Sequence, residues 1–216
     1  MRTRSFFPIL CLVVFAALPA MAAGSRAGSV PSTPGDNAMV SFNDGVGARD
    51  RAWKLEKELA TAKDAAAKTK LEAKIVKAYQ AAIRSQKNAV RYNPNLFQAY
   101  GELGYALRKT GDYPAALEAY DKALSIQPGY AEAIEYRAEA YLGLNRVDEA
   151  RQAYMTLHNG GDATRAKMLA DAMTKWLEQR RADPAGVAAG AIEEFATWLT
   201  QRTEISHTAS GAGMWK

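Results

Sequence analysis

The sequence is poor in the residues that carry covalent and metal chemistry. Its one cysteine, Cys11, lies in an apolar run close to the N-terminus. A single thiol forms no intramolecular disulfide, so the fold has to rest on packing. The residues before it, Pro8-Ile9-Leu10, are not the small ones that a lipidated leader places there. Histidine occurs only at His158 and His207. His158 falls at the end of an expected helix, where a positive ring suits the negative pole, and His207 sits in a polar tail and reads as solvated. There is no glycine-rich phosphate loop, no paired-histidine metal motif and no serine elbow. The carboxylate pairs Asp148-Glu149 and Glu193-Glu194 fall in early helical turns, where negative charge is stabilised. The sequence therefore calls for no catalytic residue, no cofactor and no metal. Charge of one sign is not in great excess either. The net charge is +5, and Lys and Arg read as interspersed with Asp and Glu, a balance that by itself predicts neither nucleic-acid nor membrane binding; no nucleic-acid partner is expected.

Long apolar runs are scarce as well. The one at residues 6–18 is shorter than the ~20 residues of a bilayer-spanning helix. Arg2 and Arg4 precede it, and Ala20-Met21-Ala22 follows as a small-x-small cleavage site, the order of a secretory leader. Residues 1–22 are thus expected to be removed, leaving an exported chain, periplasmic or secreted, with no membrane span. Residues 23–47 are rich in Gly, Ser, Pro and Asn, a composition that buries too little apolar surface to offset its ordering entropy. They read as a flexible linker, with Met39, Val40 and Phe42 a small apolar island inside it. Residues 48–92 hold neither Gly nor Pro and are dense in strong helix formers. Leu55, Leu59, Ala62 and Ala66, then Leu71, Ile75, Tyr79, Ala82 and Ile83, recur at helical spacing. The stripe weakens across 63–70. One long helix fits, as do two helices meeting near 64–69, and the lack of a breaker residue favours the single helix.

Pro94 and Pro128 each end a helix and stand 34 residues apart. Between them Tyr100, Leu103, Gly104 and Leu107 share one helix face. Thr110-Gly111-Asp112 supplies a turn, with Gly111 suited to a left-handed closing residue and Asp112 to a cap. Pro114 fits the first turn of the next helix, which carries Ala116, Tyr120 and Ala123. Together with Pro128, these positions closely resemble a tetratricopeptide repeat (TPR) over 97–130. One period later, over 131–164, Ile134, Ala138, Tyr141, Ala150 and Tyr154 repeat the pattern more loosely, with Gly143-Leu144-Asn145-Arg146 as the turn. One period earlier, Ala82, Ala89 and Pro94 match the second half of a unit. Downstream, Asp162 caps a helix with Leu169, Met173, Trp176 and Leu177, and Asp183-Pro184 opens a last one with Val187, Ile192, Phe195, Trp198 and Leu199.

One such unit cannot bury its apolar face alone, and about three stacked units are needed for stability. The flanking helices must complete the core, and atypical end units are expected. The fold implied is all-α: a short right-handed α-solenoid of antiparallel helix hairpins. A long N-terminal helix or helix pair (48–92) leads into two repeats (93–164), a capping hairpin (165–202) and a flexible tail (203–216) that includes Met214 and Trp215.

The resemblance also implies function by binding. In proteins similar to this one, the first helices of successive repeats line a concave groove that takes up a peptide. The groove candidates are Gln98, Gly101, Tyr105, Arg108 and Lys109, then Glu132, Glu135, Tyr136, Glu139 and Leu142 on the neighbouring helix. The Lys and Asn set of the subtype that grips a terminal carboxylate is missing, since Gly101 and Tyr105 stand there. An acidic stripe beside Arg108 and Lys109 suits a basic or mixed-charge segment; the plain alternative is a solvated helix face. The expected function is an exported scaffold or adaptor for a protein or peptide partner in the cell envelope. The alternative is a structural protein that forms a homo-oligomer through its N-terminal helix. If the groove is used, Glu135→Lys or Tyr105→Ala weakens partner capture in pull-down while helicity stays unchanged.

Overall fold

The computed structural model describes residues 33–211, with side chains through residue 203. The expected leader at 1–22, the start of the linker and the segment around Met214 and Trp215 lie outside the described residues. Among the described residues there are eight helices and no strand: α1 (Pro34–Thr61), α2 (Ala65–Tyr92), α3 (Phe97–Lys109), α4 (Tyr113–Ile126), α5 (Ala131–Gly143), α6 (Val147–Asn159), α7 (Ala163–Ala182) and α8 (Ala189–Gly211). Each helix packs on the next in sequence, and α3 also meets α5, as α5 meets α7. This is the all-α stack of hairpins that the repeat pattern implied.

The N-terminal third differs from expectation. From residue 34 the supposed linker is helix, and α1 runs unbroken from there to Thr61. Two features that composition hides explain this. First, Thr33 and Asp36 form a capping box: the Asp36 N–H donates to Thr33 Oγ1 at 3.1 Å, and the Thr33 N–H donates to Asp36 Oδ2 at 2.9 Å. The Thr33 N–H, joined by the Thr33 hydroxyl donating to the same Oδ2 at 2.8 Å, holds the Asp36 carboxyl below its usual range, and Pro34 fits the first turn. Second, the buried face of α1 is made of small residues, Ala38, Gly45, Ala48 and Ala52. That stripe lets α2 come close, with Leu55 and Leu59 packing only partly buried at the edge of the contact. At Gly45 the Gln86 side chain fills the space a Cβ would need, and Gln86 Nε2 donates to the Phe42 carbonyl at 3.1 Å.

The helix pair, not the single long helix, is what forms over 48–92. The break lies at residues 62–64, where Asp64 caps α2 by accepting the Ala67 N–H at 2.6 Å. The basic residues are also less evenly spread than the sequence reading held, because α2 carries seven of them against Glu72 alone, a net of +6.

The repeat itself follows its expected turn chemistry. Gly111 takes φ 85°, Asp112 accepts the Ala115 N–H at 3.3 Å, and Pro114 sits in the first turn of α4. Asn145, one period on, takes the matching left-handed position with φ 58°. Asn tolerates that conformation better than most side chains. Gly104 lies under the Tyr120 ring, whose Cδ1 would be 2.8 Å from a Cβ there. Tyr120, Ala116 and Ala123 are fully buried, so small residues at the helix crossing make room for one aromatic plug.

At the C-terminal end Asp162 caps α7 through the Arg165 N–H at 3.0 Å. Pro184 does not open the last helix. Asp183 closes α7, a turn through Ala185 (φ 44°) and Gly186 (φ 82°) follows, and α8 begins at Ala189. Helical backbone then continues to Gly211 where a tail had been expected from residue 203. Trp176, Phe195 and Trp198 fill the capping core, and the Trp176 indole N–H donates to the Leu142 carbonyl at 2.8 Å.

A tether would tolerate a bulky side chain at position 45, whereas the packed α1/α2 pair would not. Gly45→Leu is expected to lower stability by about 1–3 kcal/mol through overpacking, read as a shift of the urea unfolding midpoint.

Candidate functional site

α1, α3, α5 and α7 form one row of the stack and together line a cleft of about 260 Å³. Each helix contributes a side chain of different character. α1 brings Arg49 and Trp53; α3 brings Gly101, Glu102 and Tyr105; α5 and its N-cap bring Tyr130, Glu132, Ala133 and Tyr136; α7 brings Arg165. The floor is aromatic. The Trp53 indole N–H donates to the Tyr105 hydroxyl at 2.6 Å, with the two rings edge to face at 5.8 Å. Tyr105 meets Tyr136 edge to face at 5.0 Å. Such pairs contribute beyond their buried area.

Ion pairs frame the rings. Arg49 reaches from α1 to Glu102 and lies 4.3 Å over the Trp53 ring. Arg165 reaches from α7 to Glu132 and to Glu135, the latter at 2.6 Å. Arg108 pairs with Glu139 and stands 5.1 Å over Tyr105 and 5.3 Å over Tyr136. Burial pushes the Glu102 carboxyl up, against the pull of Arg49. Burial does the same to Glu135, with Arg165 opposing it. The Tyr130 hydroxyl is pushed up to about 12 by burial and then by the carboxylates of Glu132 and Glu102.

The residues named from the sequence are distributed unevenly over this surface. Gly101, Tyr105, Glu132 and Tyr136 line the cleft. Gly101 is buried beneath Tyr130, whose Cε1 would lie 2.7 Å from a Cβ there. Gln98 is half-buried at the start of α3 and does not line it. Lys109 turns to α1, pairing with Glu56 at 2.7 Å. Leu142 is core. The acidic stripe is not free, because Glu132, Glu135 and Glu139 each hold an arginine of the chain itself. Glu135 is only 2 % exposed, which makes it part of the framework between α5 and α7.

Arg49, Trp53, Glu102, Tyr130 and Arg165 were missed. The 34-residue period links Glu102 to Tyr136, which the sequence did name, so that glutamate had a signal. Arg49 and Trp53 had none, because α1 lies outside the repeat register. His158 stacks on Tyr154 with centroids 5.8 Å apart in the last turn of α6, while the His207 side chain lies outside the described residues. Among the described residues no group of three or more His, Cys, Asp or Glu is placed to hold a metal. No helix among them is long and apolar enough to cross a membrane.

Residues 97–130, the α3/α4 hairpin, match the family model for the tetratricopeptide repeat. The protein contains a TPR. The repeat's first helix is the α3 that supplies Gly101, Glu102 and Tyr105 to the cleft, so the TPR and the cleft share a wall. A comparison with curated proteins gives no match.

Burial changes what a mutation at Glu135 does. Glu135→Lys would press a second cation against Arg165 in a buried site and should cost about 3–5 kcal/mol. It is therefore not the silent surface change expected from the sequence. Glu132→Gln, at a half-buried carboxylate whose partner keeps Glu135, should cost about 1 kcal/mol or less. Urea denaturation followed by circular dichroism separates the two.

Proposed function

We propose that the protein is an exported, non-enzymatic scaffold or adaptor that seats a segment of a partner protein in the α1–α3–α5–α7 cleft. The presence of a TPR supports a protein-interaction module. The observation that carries the reading is the cleft itself: the exposed ring of Trp53 and the half-buried rings of Tyr105 and Tyr136 line it, held by ion pairs from both sides. Aromatic and arginine side chains in such settings supply most of the energy at protein interfaces. A rigid floor also lowers the ordering cost of binding. Since the carboxylates are already paired, the rings are the main source of affinity here, and the ion pairs set their orientation. Export rests on the sequence order of Arg2, Arg4, the apolar run at 6–18 and Ala20-Met21-Ala22.

Self-assembly through the N-terminal helices is the weaker reading. The buried faces of α1 and α2 are spent on each other and on α3, and the outer face of α2 would meet its copy across a two-fold axis with like charges.

Affinity capture of the full-length protein from its own cell envelope, followed by mass spectrometry, tests the proposal. Trp53→Ala and Tyr105→Ala should each reduce recovery of a specific partner by about 30-fold, the effect of a hot-spot residue, with helicity retained. Equal recovery across both variants would rule out the cleft as the binding surface.

A further inference from the structure

Among the described residues, the outer face of α2 stands apart by its charge. Its buried positions, Ile75, Tyr79, Ala82, Gln86 and Ala89, turn inward. On the opposite side stand Lys70, Lys74, Lys77, Arg84, Lys87 and Arg91, all exposed. At 3.6 residues per turn they fall within an arc of roughly 140° along a helix of about 42 Å. Glu72, the only acid of α2, lies outside that arc. The net of +6 on this one helix exceeds the +5 of the whole sequence, so the remainder of the chain is close to neutral.

The row is also unpaired. Arg108, Arg137, Arg146, Arg151, Arg165 and Arg181 on the other helices or at their caps each hold a carboxylate. Among the described residues, none of the six cations of the α2 row holds one. Lys87 shares a cleft with Asp112 and Glu118 without an ion pair to either, and Arg91 rests over the Tyr92 ring at 5.2 Å. Cations three and four residues apart on a helix repel one another, so the row opposes the stability of the helix that carries it. Such an arrangement is relieved by an external polyanion.

We propose that the outer face of α2 is a docking surface for an anionic lipid bilayer. Three observations favour lipid over other polyanions. The face is a strip along one unbroken 28-residue helix, and a bilayer surface, being flat, can meet it along its length. Four of the six cations are lysines, compact point charges that suit loosely packed phosphate headgroups better than the bidentate readout of nucleic-acid bases. Val76, 46 % exposed, and Tyr92, 39 % exposed, flank the row and offer apolar contact at headgroup depth. Docking by α2 leaves the opposite row of helices, with its cleft, free, and it stands or falls apart from the peptide-binding reading.

Sedimentation of the full chain with vesicles of phosphatidylcholine, alone or mixed with phosphatidylglycerol, tests this. The readout is the ratio of binding to anionic over neutral vesicles, compared between wild type and variants, so that the apolar run at 6–18 and its Arg2 and Arg4 contribute equally to both. The wild type should favour anionic vesicles, and 1 M salt, with a screening length of ~3 Å, should abolish the preference. Removing each cation should lower the ratio about fivefold, so Lys70→Gln/Lys74→Gln/Lys77→Gln should lose roughly 100-fold. The exposed pair Lys167→Gln/Lys175→Gln on α7 should change it little, and helicity confirms folding throughout. Equal binding to both vesicle types, or an unchanged ratio in the triple variant, overturns the proposal. So does tighter, triple-variant-sensitive binding to duplex DNA or to polyglutamate than to the anionic vesicles.

Discussion

An amphipathic hairpin with apolar surface toward both of its neighbours cannot stand alone, and the α3/α4 hairpin is of that kind. Its stability depends on being covered at both ends. On one side α5 brings Ala133 and Ala140 against Leu103, Leu107 and Tyr120. On the other, Ala106 of α3 packs into the cluster formed by Ala48, Ala52, Ile75, Tyr79 and Ala82 of the α1/α2 pair. The far end closes on large side chains, with Leu169, Met173, Trp176 and Phe195 sealing the α5/α6 hairpin. The two ends therefore use different means. The N-terminal cover works by close approach of small residues, the C-terminal one by aromatic bulk.

The same covering produces the cleft. Because α1 docks, Arg49 and Trp53 reach the wall made by α3; because α7 docks, Arg165 reaches Glu132 and Glu135 from the other side. A repeat without these flanks would keep the Tyr105–Tyr136 contact but lose Trp53 against Tyr105 and Arg165 against Glu132 and Glu135. The flanking helices thus serve packing and site geometry together, which ties the binding surface to the integrity of the whole stack.

Much of this was legible in the sequence, and the exceptions share a cause. The hairpin at 97–130 could be read because its signals are local: Gly111 and Asp112 for the turn, Gly104 beneath Tyr120, Pro128 at the exit. Residues 34–47 could not, because composition weighs large apolar side chains, and this helix buries Ala38, Gly45 and Ala48 instead. Gly45, which looked like a mark of flexibility, is where Gln86 crosses. The break between α1 and α2 rests on one cap, Asp64, with no Gly or Pro to announce it. On the inner face, Gly101, Tyr105, Glu132 and Tyr136 followed from the repeat register, but Arg49 and Trp53 lie on a helix that has no register with the repeat. The burial of Glu135 and the pairing of the acidic stripe depend on Arg165 crossing between helices, which no single-helix pattern encodes. The cationic face of α2 is visible only once its buried side is known.

The central claim is that α1 is a folded, docked cover and not a tether. Native-state hydrogen exchange across α1 tests it most directly. If the cover is real, amides from Ala38 to Ala52 are protected by factors on the order of 10³ or more and open together with α2. Exchange of residues 38–47 at the rate of an unstructured peptide, with protection beginning only after Ala48, would contradict the account.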